Sequence, residues 1–164
     1  MKKILIVIIS VILIVLLCIL IVNISLDSKV KDMGLKLETD LKGCYVEYEA
    51  NTHGGFLGDG DSFMRINCEK KKAIDVSKWK ELPMSLELET ILEMKMCNEI
   101  DCLNAYERYN IPHVETGYYY FIDRHSEVVD IHDEEELSER SSYNFSIAIY
   151  DSNKKMIYYY ELDT

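Results

Sequence analysis

From Ile4 to Ile24 the chain runs 21 residues without a charged side chain, and Ser10 and Asn23 are its clearly polar members. As a helix rising 1.5 Å per residue, such a run is roughly 32 Å long, close to the ~30 Å hydrocarbon thickness of a bilayer. A core helix in so small a chain would show a polar face, and this run has none. A cleaved signal peptide would have a shorter apolar region followed by a small-residue cleavage site. Here the run leads instead into Asn23-Ile24-Ser25-Leu26-Asp27. Cys18 lies deep in the run behind the bulky Leu17, which argues against a lipoprotein site. The expectation is a single-pass transmembrane signal anchor over residues 1–24, in contact with the lipid bilayer through residues 4–24.

Lys2 and Lys3 make the short N-terminal flank positive, whereas Lys29 and Lys31 on the other flank are offset by Asp27 and Asp32. The positive-inside tendency then places the N-terminus in the cytoplasm and the C-terminal domain outside the cell membrane. All 29 acidic residues follow the apolar run, against 16 of the 18 basic ones, so the remaining 140 residues carry a net charge of −13. Such a balance argues against a nucleic-acid partner, which needs a basic footprint. The length suits one ordinary domain.

Residues 25–43 read as a polar helical stalk, because Val30, Met33, Leu37 and Leu41 recur at three or four residues and form one apolar face suited to packing on the domain. Gly43 ends it. Residues 44–164 form the expected domain. Cys44 to Ala50 and Ser62 to Cys68 are rich in strand formers and flank a glycine-rich loop, which predicts a hairpin. Leu88, Ile91 and Leu92 repeat at helical spacing after Pro83, with Glu87, Glu89 and Glu93 mostly on the other side. Gly117 to Asp123 reads as a strand, and Tyr143–Tyr150 with Met156–Leu162 as a hairpin around the turn at residues 151–155. The expected fold class is α+β, a mainly antiparallel sheet of about five strands with one packed helix. Eight of the twelve tyrosines lie from Tyr118 onward, so both strand faces carry aromatic groups. One face buries against the helix. The other is solvated or binds a partner, unless the tyrosines simply serve as strand formers and core.

Four cysteines follow the apolar run. Cys44 opens one predicted strand and Cys68 closes the next, positions that lie close in a simple hairpin. Cys97 and Cys102 would point about 140° apart within one helix, so their bonding requires the helix to end near Cys97. The alternative is four buried thiols. Only one pair has roughly finger-like spacing, so no zinc site is expected.

The loop His53-Gly-Gly-Phe-Leu-Gly-Asp-Gly-Asp61 offers backbone amides that suit an anion, with His53, Phe56, Asp59 and Asp61 as binding candidates. It lacks the lysine and hydroxyl of a phosphate loop and the further oxygen ligands of a calcium loop. A tight structural turn is the simpler reading. Asp123, Arg124 and His125 place a carboxylate, a guanidinium and an imidazole at a strand end, either as a site or as a cap. Glu134, Glu135 and Glu136 sit in an acidic connection suited to attracting a basic partner or to plain solvation. No catalytic residues and no cofactor are expected.

The segments His53-Gly-Gly-Phe-Leu-Gly-Asp-Gly60, Gly117-Tyr-Tyr-Tyr-Phe-Ile-Asp-Arg-His-Ser-Glu127 and Asn144-Phe-Ser-Ile-Ala-Ile-Tyr-Asp151, with the ending Tyr158-Tyr-Tyr-Glu-Leu-Asp-Thr164, resemble small single-span proteins of Gram-positive bacteria. They are similar to the TipC family of immunity proteins. The resemblance implies a role in binding and neutralising a secreted antibacterial toxin that acts on cell-wall lipid precursors, and it carries no functional residues onto numbered positions. The expected function is therefore a non-enzymatic, membrane-anchored binding protein with a basic protein partner such as a toxin. The alternatives are an accessory or sensor subunit of an envelope complex, or a small hydrolase using His53, Asp59, Asp61 or His125.

Overall fold

The computed structural model describes residues 2–54, 59–97, 102–125, 130–134, 137 and 140–164, with residues 2–7, 23–27, 96 and 97 described by backbone alone. In chain order the elements are α1 (Lys2–Lys36), β1 (Tyr45–Asn51), β2 (Gly60–Asn67), β3 (Lys80–Glu81) and α2 (Leu86–Glu93). They continue with β4 (Met96–Cys97), β5 (Cys102–Leu103), α3 (Ala105–Tyr109), β6 (Gly117–Asp123), β7 (Asn144–Asp151) and β8 (Met156–Asp163). Six strands form one antiparallel sheet in the order β1-β2-β8-β7-β6-β3, while β4 and β5 pair separately. The architecture is α+β. It differs from the expected sheet of about five strands in adding the short edge strand β3, and in covering both sheet faces where one packed helix was expected.

Two-residue alternation in β7 and β8 builds those two faces. Phe145, Ile147, Ile149, Tyr158, Tyr160 and Leu162 point to one side, where they are buried with Leu88, Ile91 and Leu92 of α2 and Tyr106 and Tyr109 of α3. Ala148, Tyr150, Ile157 and Tyr159 point to the other, where they are buried with Val30, Met33, Leu37, Leu41 and Trp79. The aromatic second face is therefore core. The apolar stripe of segment 25–43 packs on the domain and forms part of the covering layer on that face. Trp79 fixes this layer by donating its Nε1–H to the Leu37 carbonyl at 3.1 Å, which satisfies the indole's polar atom inside an apolar cluster.

Local signals account for the short helices. Ser85 caps α2 by accepting from the Leu88 N–H at 3.3 Å. Helix α3 begins with a reciprocal capping box between Asn104 and Glu107 and ends at Asn110 in the left-handed conformation. Because α2 ends at Glu93, the chain after it is available to form the β4–β5 pair, with Cys97 opposite Cys102 in register. Cys102 is disulfide-bonded. A second disulfide joins Cys44 to Cys68 and ties the start of β1 to the end of β2.

The membrane expectation is corrected. Among the described residues, no helix is long and apolar enough to cross a membrane. Helix α1 runs from Lys2 to Lys36, and its last turns are part of the domain core. The single-pass topology, the signal anchor, the cytoplasmic N-terminus and the extracytoplasmic placement of the domain all depended on a membrane-spanning helix, and are corrected with it.

Replacing Cys44 and Cys68 together by alanine should lower unfolding stability by about 3.5 kcal/mol, the loop-closure value for a 24-residue separation. Urea unfolding of the full chain measures it, and an unchanged midpoint would mean the bridge constrains nothing the sheet does not already hold. Leu88→Ala, at a fully buried position, should cost about 2–5 kcal/mol by the same measurement.

Candidate functional site

Of the polar side chains singled out in the sequence, His53, Asp61, Asp123 and Arg124 lie at one end of the sheet, where the loop after β1 meets the ends of β6 and β8. Gly60 makes the loop's close crossing feasible: a Cβ there would meet the His53 Cα at 2.6 Å. His53 follows β1 and its backbone N–H donates to Asn51 Oδ1 at 2.8 Å. Its ring places Nδ1 3.0 Å from the same Asn51 oxygen and Nε2 2.8 Å from Asp163 Oδ2. Both ring nitrogens thus face oxygen acceptors.

Asp163 also accepts from Arg124 Nη2 at 2.9 Å through its other oxygen. The same guanidinium donates to the Phe145 carbonyl at 3.1 Å and pairs with Glu161 at 2.9 Å. Glu161 in turn accepts from the Tyr159 hydroxyl at 2.8 Å and lies 3.8 Å from Lys36 at the end of α1. The network therefore runs from the His53 loop through β8 to the helix covering the second face. Two of its carboxylates, Asp163 and Glu161, were not among the sequence candidates. Their signal is their spacing, because they share a face of β8 with Tyr159 and so bring charge to a buried strand.

Asp61 is buried beneath this end. It accepts from the Thr52 hydroxyl, from Arg108 Nη1 at 3.1 Å and from the Tyr160 hydroxyl at 3.5 Å. Its charge reinforces a burial effect on two neighbours: the Tyr109 and Tyr160 phenols are pushed well above their ordinary value, first by burial and then by this carboxylate. Asp123, 1% exposed, closes the corner after β6 by accepting from the His125 N–H at 2.9 Å and from Arg140. Glu134 is also internal, held by Lys80 at 2.6 Å and by the Tyr119 hydroxyl at 3.0 Å. Asp59 contributes its carbonyl to Gly54 at 3.4 Å. Phe56, Glu135 and Glu136 lie outside the described residues.

The structure thus joins His53 to Arg124 through Asp163, and leaves Asp61, Asp123 and Glu134 in separate ion pairs. Among the described residues, a cleft of about 200 Å³ is lined by Glu161, Tyr159, Lys36 and Asn51 of this network, while His53, Asp163 and Arg124 lie outside it. Among the described residues no group of three or more side chains is arranged to hold a metal ion. No protein family, curated protein or solved structure matches the chain. Chemically, the sheet end is a set of charge-assisted hydrogen bonds that fixes the loop, the strand ends and α1 to one another.

Asp61→Asn should destabilise the fold by about 3 kcal/mol, because Arg108 would keep a largely buried charge without its carboxylate. Chemical unfolding measures it, and a loss below about 1 kcal/mol would show the pair to be solvent-relaxed. The raised phenols set a second expectation. Unfolded tyrosines ionise near pH 10 whereas Tyr106, Tyr109 and Tyr160 stay protonated in the fold, so the folded state binds more protons above that pH. Their contribution is full below about pH 10 and declines as the pH rises beyond it. Melting temperature followed from pH 8 to about 11.5 should be level and then fall, and a level profile throughout would contradict the burial of these phenols.

Proposed function

We infer that the chain is a non-catalytic binding protein of the immunity type, which neutralises a basic antibacterial toxin by covering it. The observation that carries the reading is where the negative charge lies. Residues 81–115, which contain α2 and α3, hold eight acidic and two basic side chains, a net of −6 out of −11 for the whole chain. Of the two basic residues, Arg108 is turned inward to Asp61, which leaves Lys95 as the other. Glu93 on α2, Glu107 on α3 and Glu115 after α3 are exposed. A field of one sign over one layer speeds encounter with a partner of opposite sign and rejects partners of like sign.

Two further points support the reading. The side chains with catalytic chemistry at the sheet end are engaged with one another, as a framework would have them. The resemblance of residues 53–60, 117–127, 144–151 and 158–164 to the TipC immunity proteins points to the same class of role.

The test is protection and binding. Sensitive cells producing the full chain should survive a basic secreted toxin that kills cells without it, and the purified chain should bind that toxin directly. Affinity should weaken at least tenfold between about 50 and 500 mM salt, because screening then shortens to a few Å. Loss of neither protection nor binding when Glu87, Glu93 and Glu107 are replaced together by glutamine would remove the acidic layer from the account. Absence of protection and binding against a panel of such toxins would remove the immunity reading itself.

A further inference from the structure

Within the acidic layer, one cleft of about 290 Å³ opens between α2 and the segment at residues 112–114. Its walls are apolar, with Pro83, Met84 and Leu86 among them, and Leu86 is 82% exposed at the rim. An aliphatic side chain left that open at the mouth of a cleft is surface that a partner would cover. One carboxylate, Glu89, lies in the lining. It accepts from the Tyr106 hydroxyl at 3.0 Å and stands 3.7 Å from His113 Nδ1. The Tyr106 and His113 rings stack with centroids 4.7 Å apart at 24°, which gives the cleft an aromatic wall beside its single acid.

We propose that this cleft seats one arginine side chain of the basic partner, an inference that rests on the binding function above and adds its contact chemistry. The volume lies just below the ~300–1,000 Å³ of sites that enclose a whole small molecule, so it suits a single side chain. Arginine matches each wall. Its aliphatic stem lies along Pro83, Met84 and Leu86, its planar head stacks on the aromatic wall, and its fork of N–H donors meets Glu89. A lysine would bring a compact, strongly hydrated charge that stacks poorly, and a leucine would leave Glu89 facing an apolar group. The −6 net charge of residues 81–115 selects for a cation at long range, before the cleft selects among cations at short range.

The test uses the full chain with its methionine methyl groups labelled for NMR. Met84 lines the cleft, whereas Met33 and Met64 belong to the opposite sheet face and serve as internal controls. Capped five-residue peptides carry arginine, citrulline, lysine or leucine at the centre of an otherwise glycine and serine sequence. The arginine peptide should shift the Met84 methyl saturably and leave Met33 and Met64 unmoved. The citrulline peptide should bind at least tenfold more weakly, and lysine and leucine peptides severalfold more weakly. Glu89→Gln, which keeps a hydrogen-bond acceptor for Tyr106, should weaken the arginine peptide at least tenfold. Leu86→Ala, at an exposed position, should weaken it severalfold and gives the reading if the first variant fails to fold.

An unmoved Met84 methyl would overturn the proposal. So would equal responses to arginine and citrulline, equal responses to arginine and lysine, or an affinity indifferent to both substitutions. The two levels separate cleanly. Peptide binding at Met84 without protection from any toxin sinks the immunity reading and leaves the cleft. Protection that persists in both variants, with no peptide binding, sinks the cleft and leaves the immunity reading.

Discussion

The structure depends on the hairpin β7–β8 being covered on both faces. Antiparallel sheets commonly give one face to water, which leaves alternate residues polar. Here Tyr158, Tyr160 and Leu162 enter one core while Ile157 and Tyr159 enter the other, so the strand has little polar side to offer. A one-residue slip would exchange the two sets and drive Glu161 and Asp163 into the layer packed by α2 and α3. The register is therefore held by charge as well as by shape, because those two carboxylates are stable only where Arg124, His53 and Lys36 reach them.

Covering the second face falls to the chain segment before the sheet. The last turns of α1 and residues 37–41 supply Val30, Met33, Leu37 and Leu41, and the Cys44–Cys68 bridge fixes the point where that segment turns into β1. The pairing of the two cysteines and the heptad-like stripe were visible in the sequence, because both are local patterns that one element imposes on itself. Which sheet face the stripe closes was not visible, because it depends on which face remains open once α2 and α3 have taken the other. The same dependence misled the reading of the apolar N-terminal run. Counting uncharged residues treats Ile4–Ile24 as a separate unit, whereas the helix is continuous with the turns that pack on the sheet.

The long strands were legible for a comparable reason. Seven or eight residues of alternation in β6, β7 and β8 outweigh any competing pattern. The edge strand β3 spans two residues and α3 five, too short for either period to register. Their existence follows from partners distant in sequence: Lys80 pairs opposite Tyr119, and Tyr109 stacks on Phe63 at 4.7 Å. The candidate site divides in the same manner. His53, Asp61, Asp123 and Arg124 announce themselves by residue type, but what each does is decided by the registers that place Asp163 opposite both Gly60 and Asn144. Residue type gave the charges, and long-range pairing gave each charge its partner.

That conversion bears on the surface as well. The chain has four arginines, and each is engaged by a carboxylate: Arg65 with Glu47, Arg108 with Asp61, Arg124 with Glu161 and Asp163, and Arg140 with Asp123. Lys29, Lys71, Lys78 and Lys80 are likewise paired. Positive charge is thus drawn into the framework, and the acidic excess is left to face solvent. The remaining excess is uneven, since residues 81–115 hold one lysine while Lys70, Lys71 and Lys72 cluster near the β7–β8 turn, where Lys155 donates to the Lys71 carbonyl at 3.4 Å.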